Sequence, residues 1–191
     1  MKRITSLILI VICIALPLKA QNLKKGFWGS FDMSYGLTLS DKGSLYKHKY
    51  GGSTHMQAFD LRTEFGYYFT RAFSIGAGIG VATYSEPRIN WVPVFVDFRY
   101  HPITHINENF YVGFDFGTGL MDNQKKLDPK FFMELYAGYK LLDIGRFTLA
   151  PAIGYSFYKY SVKSDGAGFA ETMYTYRQKR NTLFLRLSLS Y

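Results

Sequence analysis

Apolar residues recur at every second position in eight separate segments of the chain, beginning at Phe27 and ending at Tyr191. In the last segment, leucine stands at every odd position from 183 to 189, with other side chains between. A period of two places successive side chains on opposite faces of a β-strand, whereas a helix needs a period near 3.6. The eight segments are residues 27–40, 59–69, 73–82, 91–100, 110–117, 131–141, 147–158 and 182–191. The pattern therefore predicts an all-β protein of eight strands.

The face between the apolar positions indicates which side of the strands is enclosed by protein. It is rich in glycine and other small residues, as at Ser74, Gly76 and Gly78, and so differs from an ordinary solvent face. Segments of about ten residues suit strands that cross a bilayer at a tilt. An aromatic content of 18% with a mean hydropathy of -0.07 fits a chain whose apolar residues alternate. We therefore predict an eight-stranded antiparallel up-and-down transmembrane β-barrel, with the apolar face toward lipid and the second face lining the lumen.

The start of the chain has the features of a cleavable signal peptide. Lys2 and Arg3 form a basic beginning, an uncharged apolar run follows as far as Leu18, and Ala20 is a small residue at a plausible cleavage point. The run is shorter than the roughly 20 residues of a spanning helix, with a retained membrane anchor as the alternative. The predicted domains are the signal peptide, residues 1–20, and the barrel domain, residues 21–191.

Cleavage after Ala20 changes the chemistry available to the mature chain. The formal charge falls from +9 to +6, because three cations and no acid are removed. The only cysteine, Cys13, leaves with the signal, so the mature chain has no thiol for a disulfide or a cysteine-based zinc site. We expect no cofactor and no nucleic-acid partner.

The lengths of the connections predict an orientation in the membrane. An amino terminus in the periplasm makes the first connection external, and external connections of such barrels are the longer set. The predicted external loops are residues 41–55, 85–90, 121–130 and 161–180, and the predicted periplasmic ones are 70–72, 101–109 and 142–146. One pair opposes the trend, since 101–109 is longer than 85–90. We predict a multi-pass outer-membrane protein with both termini in the periplasm.

Aromatic residues in the outward phase collect at the proposed periplasmic ends of all eight strands. Membrane barrels concentrate such rings at the bilayer interface. The predicted periplasmic aromatic belt consists of Phe27, Tyr67, Phe69, Phe73, Phe98, Tyr100, Phe110, Tyr139, Phe147 and Tyr191. Pro93 and Pro151 do not fit the pattern, because proline removes a ladder donor inside a strand. We assign both prolines to bulges or strand ends.

The inward phase carries charges of both signs. Unpaired charges in a narrow lumen are unfavourable, so we expect an ion-pair network with trapped water. Its predicted members are Asp32, Asp60, Arg62, Glu64, Asp97, Arg99, Asp115, Glu134, Lys140 and Arg186. Small residues of the third segment leave room for long neighbours such as Arg62 and Phe95. Asp60, Glu64 or Asp97 as a general acid or base is the alternative, but no nucleophile or substrate cleft accompanies them, and we predict no catalytic site.

The four histidines do not form a recognisable catalytic or metal site. His48 and His55 fall in one predicted external loop, and His101 and His105 fall in a predicted periplasmic turn. The spacing of the second pair would suit a metal on a helix, but Pro102 opposes a helix there. We therefore predict no metal site.

Three stretches carry a family resemblance: FGYYFTRAFSIGAGIG at 65–80, NWVPVFVDFRYHP at 90–102 and the terminal TLFLRLSLSY. On these, the mature chain resembles the small outer-membrane β-barrels of the OmpA/OmpX-like superfamily, in particular the stand-alone barrels of Bacteroidetes. The resemblance implies a Gram-negative cell envelope. The terminal stretch, ending in Tyr191, is similar to the carboxy-terminal signal by which the barrel-assembly machinery recognises such proteins. The chain lacks the peptidoglycan-binding domain of OmpA itself, so periplasmic anchoring is not implied.

Because fold does not imply function, several functional classes stay open. The leading expectation is a non-enzymatic barrel with a side-chain-plugged lumen and a structural or surface-interaction role through its external loops. Basic residues in these loops could meet outer-membrane lipid and lipopolysaccharide phosphates, or could form a solvated face. They are Lys42, Lys47, Lys49, Lys163, Arg177, Lys179 and Arg180. The alternatives are a narrow pore or small-ligand barrel, and a lipid-modifying enzyme for which Ser53 with His55 is the candidate pair.

Overall fold

The computed structural model describes residues 26–43, 57–84, 89–102, 109–122, 127–164 and 174–191. The strands are β1 (Gly26–Gly43), β2 (Gln57–Tyr68), β3 (Phe73–Tyr84), β4 (Ile89–Tyr100), β5 (Phe110–Asp122), β6 (Leu127–Tyr139), β7 (Leu142–Ile144), β8 (Phe147–Ser164) and β9 (Tyr174–Ser190). The predicted signal peptide lies outside the described residues.

These strands form a closed antiparallel barrel with eight strand positions, one of which is shared by β6 and the short β7. Each strand from β1 to β5 pairs with the next one, β8 pairs with β9, and β9 pairs with β1. β6 also pairs with β8, and the short β7 continues the line of β6 along the same partner. Closure leaves no sheet edge for unwanted pairing. The predicted eight-stranded antiparallel barrel is confirmed.

The two ends of the barrel differ in how far the strands continue. Gly29 and Tyr191 exchange backbone hydrogen bonds, so the chain termini of the barrel lie at one end, called here the terminal end. At the opposite end, called the far end, β1, β8 and β9 run on to lengths of 18, 18 and 17 residues, against 12 or 13 for β2 to β6.

The predicted far-end loops are therefore too long. Residues 127–130 belong to β6, and residues 161–164 and 174–180 belong to β8 and β9. The segments left between strands at this end include 85–88 and 123–126, both shorter than the terminal-end connection 101–109. The other two far-end segments, 44–56 and 165–173, are 13 and 9 residues long, so the orientation drawn from loop length stays a prediction. The predicted loops were too long because the strand extensions carry polar residues on both faces, so their period of two is invisible in the sequence.

Burial alternates along the strands in the predicted phase. On β9, Leu185 is 62% exposed while its neighbours Phe184 and Arg186 are 5% and 2% exposed. The outer wall is therefore apolar, and the charged and small residues lie inside.

Two glycines show how the interior accommodates large side chains. A Cβ atom at Gly78 would lie 2.3 Å from Cζ of Phe95 on the neighbouring strand. A Cβ atom at Gly113 would lie 2.1 Å from Cζ of Tyr136. Each glycine thus provides the space that the ring opposite fills, as expected for a narrow barrel.

The two prolines behave differently. Pro93 lies at a register shift in the β4–β5 ladder, between Trp91 and Pro93, which confirms its assignment to a bulge. Pro151 lies inside β8, in uninterrupted register with β9, so on that side it is at neither a bulge nor a strand end. On its other side, the pairing of β8 breaks between β6 and β7. The hydrogen-bond ladder of β8 with β6 and β7 is thus already interrupted at Pro151, which has no N–H to donate.

Candidate functional site: the barrel interior

Arg62 lies at the centre of an ion-pair network inside the barrel. From β2, its Nη2 atom donates to Asp60 Oδ2 at 2.5 Å. Its Nη1 atom donates to Glu134 Oε2 at 2.7 Å and to Asp115 Oδ2 at 3.3 Å. The guanidinium group therefore joins its own strand to β5 and β6 across the lumen.

Arg186, on β9, binds two of the same carboxylates. Its Nη2 atom donates to Glu134 Oε2 at 2.5 Å and to Asp115 Oδ2 at 3.1 Å, and its Nε atom lies 3.4 Å from Ser34 Oγ. Asp60, Arg62, Asp115, Glu134 and Arg186, called here the central network, are each at most 8% exposed. Two arginines thus brace four strands.

A second set of ion pairs surrounds Arg99, nearer the terminal end. Its Nε atom donates to Asp97 Oδ2 at 2.7 Å, and its Nη2 atom donates to Glu64. The hydroxyl of Tyr136 donates to the other oxygen of Asp97 at 2.5 Å. The guanidinium carbon of Arg99 lies 4.1 Å from the ring centroid of Trp28, within the range of a cation–π contact.

Strand register explains why the arginines meet the acids. Asp97 pairs with Asp115, and Asp115 pairs with Glu134, so that three neighbouring strands present one row of carboxylates to the lumen. Like charges directly opposite one another are destabilising. The arginines that compensate this row reach it from β2, β4 and β9.

The structure places nine of the ten predicted lumen residues inside the barrel, all buried. Asp32 is fully buried, and Ser30 Oγ lies 3.4 Å from both Asp32 and Glu64. Lys140 differs: it follows the end of β6, where it is half-exposed and its backbone N–H donates to the carbonyl of Asn109. Lys140 lies just beyond the last residue of β6, Tyr139, and is not buried as the other nine residues are, so its assignment to the buried set is corrected.

Arg180 is a buried residue that the sequence assigned to an external loop. It is fully buried, its Nη2 atom donates to the Tyr160 hydroxyl at 2.8 Å, and its guanidinium carbon lies 4.4 Å from the Tyr84 ring centroid. The signal that could have found it is its even number, which continues the inward phase of Phe184 and Arg186.

Aromatic rings fill the lumen on the far side of the central network. The cluster consists of Ala82, Tyr84, Trp91, Phe95, Phe132, Tyr158 and Tyr160. Its rings lie close, as shown by the 4.4 Å between the centroids of Trp91 and Tyr158. Between this cluster and the central network lies a small cavity, lined by polar residues such as Asp60 and Arg62 and by apolar ones such as Phe184, with room for roughly one or two water molecules.

His101 closes part of the terminal end. It is buried, its backbone N–H donates to the carbonyl of Ala72 at 2.7 Å, and its ring lies 5.5 Å from the rings of both Tyr68 and Tyr111. Burial lowers the pKa of His101 to about 3, so the ring is neutral at physiological pH. It is therefore a packed residue, not an exposed turn residue as its predicted position suggested. Ser53, His48, His55 and His105 lie outside the described residues.

The ten predicted belt residues all lie on the outer surface toward the terminal end. Phe27 pairs with Tyr67, Phe73 with Tyr100 and Phe110 with Tyr139 across neighbouring strands. Ring centroids are 5.1 Å apart in the first of these pairs and 4.9 Å apart in the second. Tyr67 and Tyr191 are half-exposed, and the other eight residues are exposed.

The described part of the chain contains neither a candidate metal site nor a candidate membrane-spanning helix. No group of three or more histidine, cysteine, aspartate or glutamate side chains there could hold a metal ion. No helix in those ranges is long and apolar enough to cross a membrane.

Comparison with known proteins shows a similar fold. No protein-family model and no curated protein matches the chain. Among solved structures, the chain is similar to the outer membrane protein AlkL, determined in DMPC bilayers by solid-state NMR, with a TM-score of 0.59, 17% identity, and coverage of 92% of this chain and 93% of that one.

Two further structures are more distant. They are the outer membrane protein OprG of Pseudomonas aeruginosa (TM-score 0.49, 13% identity, coverage 88% and 97%) and Neisserial surface protein A (TM-score 0.47, 14% identity, coverage 84% and 95%). The similarity to AlkL shows that this chain has the fold of a small outer-membrane β-barrel.

Proposed function

We propose that this chain is an integral outer-membrane barrel whose lumen is closed by its own side chains and which acts, without catalysis, through the surface at its far end. The apolar outer wall supports the membrane location, since a barrel with an apolar outer band is stable in contact with lipid. Similarity of fold to AlkL supports the same compartment. The predicted family, the OmpA/OmpX-like stand-alone barrels, is part of this proposal.

The observation that carries the closed lumen is the bracing of the interior by Arg62 and Arg186. Their guanidinium groups, shared between Asp115 and Glu134, occupy the cross-section of the barrel, and the aromatic cluster fills the space beyond them. A barrel of eight strands is just wide enough for its side chains to fill. A continuous aqueous path would have to displace buried ion pairs.

The same contacts argue against acid–base catalysis. The three carboxylates considered as alternatives are each bound by a guanidinium group: Asp60 by Arg62, and Glu64 and Asp97 by Arg99. They are buried, so a substrate would have to enter the packed interior to reach them. A structural role accounts for all three.

Orientation and assembly complete the proposal. The terminal end would face the periplasm, following the predicted signal peptide, and the far end would face outward. Tyr191 lies on the outer surface, half-exposed, with its ring 5.6 Å from that of Phe147. We infer that the carboxy-terminal strand is the part recognised by the barrel-assembly machinery.

Conductance in planar lipid bilayers tests the closed lumen. The wild-type protein should show no steady conductance steps, and neither should Arg71→Ala, which changes an exposed turn residue at the terminal end. The double variant Arg62→Ala with Arg186→Ala, if it remains folded by its resistance to protease, should conduct. Steady steps from the wild-type protein, altered by these lumen substitutions, would establish the narrow-pore function instead.

A further inference from the structure

A row of lysines crosses the outer surface near the far end. Lys159 on β8 pairs with Lys179 on β9, and Lys179 pairs with Lys42 on β1. Lys179 is exposed and Lys159 is half-exposed, on the face opposite the buried Arg180. Arg177 is exposed two residues further along β9. Residues two apart on a strand lie on the same face, so Arg177 extends the row.

The row borders the apolar wall of the barrel. On β8, the outward residue before Lys159 is Phe157, and the register partner of Lys159 on β6 is Phe131. The Lys159 ammonium lies 5.9 Å from the centroid of the Phe131 ring. On β9, Asn181 separates Lys179 from the exposed leucines that begin at Leu183. The cations therefore stand where an apolar surface ends.

The height of this surface matches the position of lipid headgroups. From Leu183 to Tyr191, the outer face of β9 extends for about 27 Å along the strand, at roughly 3.4 Å per residue. A strand tilt of about 40° reduces this to about 20 Å across the bilayer, close to the roughly 25 Å apolar band of membrane barrels. Given the proposed membrane location, Lys159 and Lys179 lie at the level of the outer-leaflet headgroups.

The row lacks the compensation that the interior has. Register-paired like charges destabilise a sheet, and the inward row of Asp97, Asp115 and Glu134 is neutralised by Arg62, Arg99 and Arg186. Among the side chains that the structure describes, no carboxylate pairs with Lys159 or Lys179. An anionic group bound at this face would supply a counter-charge for the outer row.

We propose that Lys159, Lys179 and Arg177 bind the phosphate group of an outer-leaflet lipid whose acyl chains lie along the apolar wall. Ammonium and guanidinium groups both donate charge-assisted hydrogen bonds to phosphate oxygens. The adjoining apolar surface at Phe157 and Leu183 accommodates the hydrocarbon chains. The site thus favours a phosphorylated lipid over free phosphate. This inference rests on the proposed membrane location.

Lipid binding by matched charge variants tests the site. Protein purified from outer membranes is placed in detergent micelles containing bisphosphorylated lipid A, dephosphorylated lipid A, or bisphosphorylated lipid A with an excess of inorganic phosphate, and bound lipid is counted by native mass spectrometry. The test variant is Lys159→Gln with Lys179→Gln. The control variant is Arg71→Gln with Arg146→Gln, which removes two exposed cations at the terminal end.

The wild-type and control proteins should bind bisphosphorylated lipid A alike, and the test variant should bind it about tenfold more weakly or worse, given the strength of hydrogen bonds to charged groups. Lys159→Arg with Lys179→Arg should restore binding. Equal binding in test and control variants, no preference for the phosphorylated lipid, or full competition by inorganic phosphate would each overturn the site.

Insertion is measured separately, by heat-dependent gel mobility of the same proteins in lipid vesicles. Failure of every protein to insert would refute the proposed function. Normal insertion without discrimination between the variants would refute this inference alone.

Discussion

Replacement of Arg62 by alanine should severely destabilise the barrel, because the change leaves buried carboxylates without their cation. Asp115 and Glu134 keep Arg186 as a partner, at 3.1 Å and 2.5 Å, but Asp60 loses the guanidinium group that binds both of its oxygens. Breaking a buried ion pair by removing one partner typically costs about 3–5 kcal/mol. We expect a loss of this size in the free energy of unfolding.

The assay is urea-induced unfolding in lipid vesicles, followed by tryptophan fluorescence and gel mobility. Arg71→Ala provides the control, since an exposed substitution should change the stability by no more than about 0.5 kcal/mol. The double variant Asp60→Ala with Arg62→Ala removes the stranded carboxylate as well. Its loss in free energy of unfolding should be smaller than the sum of the two single-variant losses by about 0.5–3 kcal/mol. A loss below about 1 kcal/mol for Arg62→Ala would refute the reasoning and indicate a wide, hydrated lumen.

Three further predictions follow from other parts of the chain. Gly78→Leu should cost about 1–3 kcal/mol in the same unfolding assay, because its side chain would meet the Phe95 ring, whereas Ala77→Leu on the exposed face should be nearly neutral; equal effects would contradict the packing. The unfolded chain binds a proton at His101 near pH 6.5 and the folded one near pH 3, so this residue's contribution to stability is lost as the pH falls between those values. His101→Gln should make the pH dependence of stability shallower in that window, and an unchanged slope would be evidence against the buried neutral ring. Mass spectrometry of protein from outer membranes should find an amino terminus at or near Gln21, and a full-length species there would rule out the signal peptide.

The period of two predicted most of the fold. Strands with one apolar face and one face of charged and small residues fit a barrel with lipid outside and a narrow lumen inside. Gly78 with Phe95, and Arg62 with its acids, belong to the inward phase that the sequence shows directly. Strand alternation is a local property, so it can be read without knowledge of the partners. The burial of nine charged residues could therefore be predicted together with the strands.

The partners of each charge could not be predicted in this way. Arg62 binds Asp115 and Glu134 from 53 and 72 positions away in the chain, and whether these residues meet depends on the register of every strand from β2 to β6. Register is fixed by tertiary packing and turn geometry, which the pattern of a single strand does not contain. Arg180 was missed for a related reason: around it both faces of β9 are polar, and only pairing with β1 and β8 shows that the strand continues.

The orientation of the two faces is the central claim, and site-directed spin labelling measures it most directly. With Cys13 as the only native cysteine, single labels can be introduced on β9 in lipid vesicles, at the outward positions 183, 185, 187 and 189 and at the inward positions 184 and 188. The account predicts frequent collisions with lipid-soluble oxygen at the four outward positions and little at the two inward ones. Reversed accessibilities, or a protein that stays in water without detergent, would contradict it and make the leucine face the interior of a water-soluble barrel.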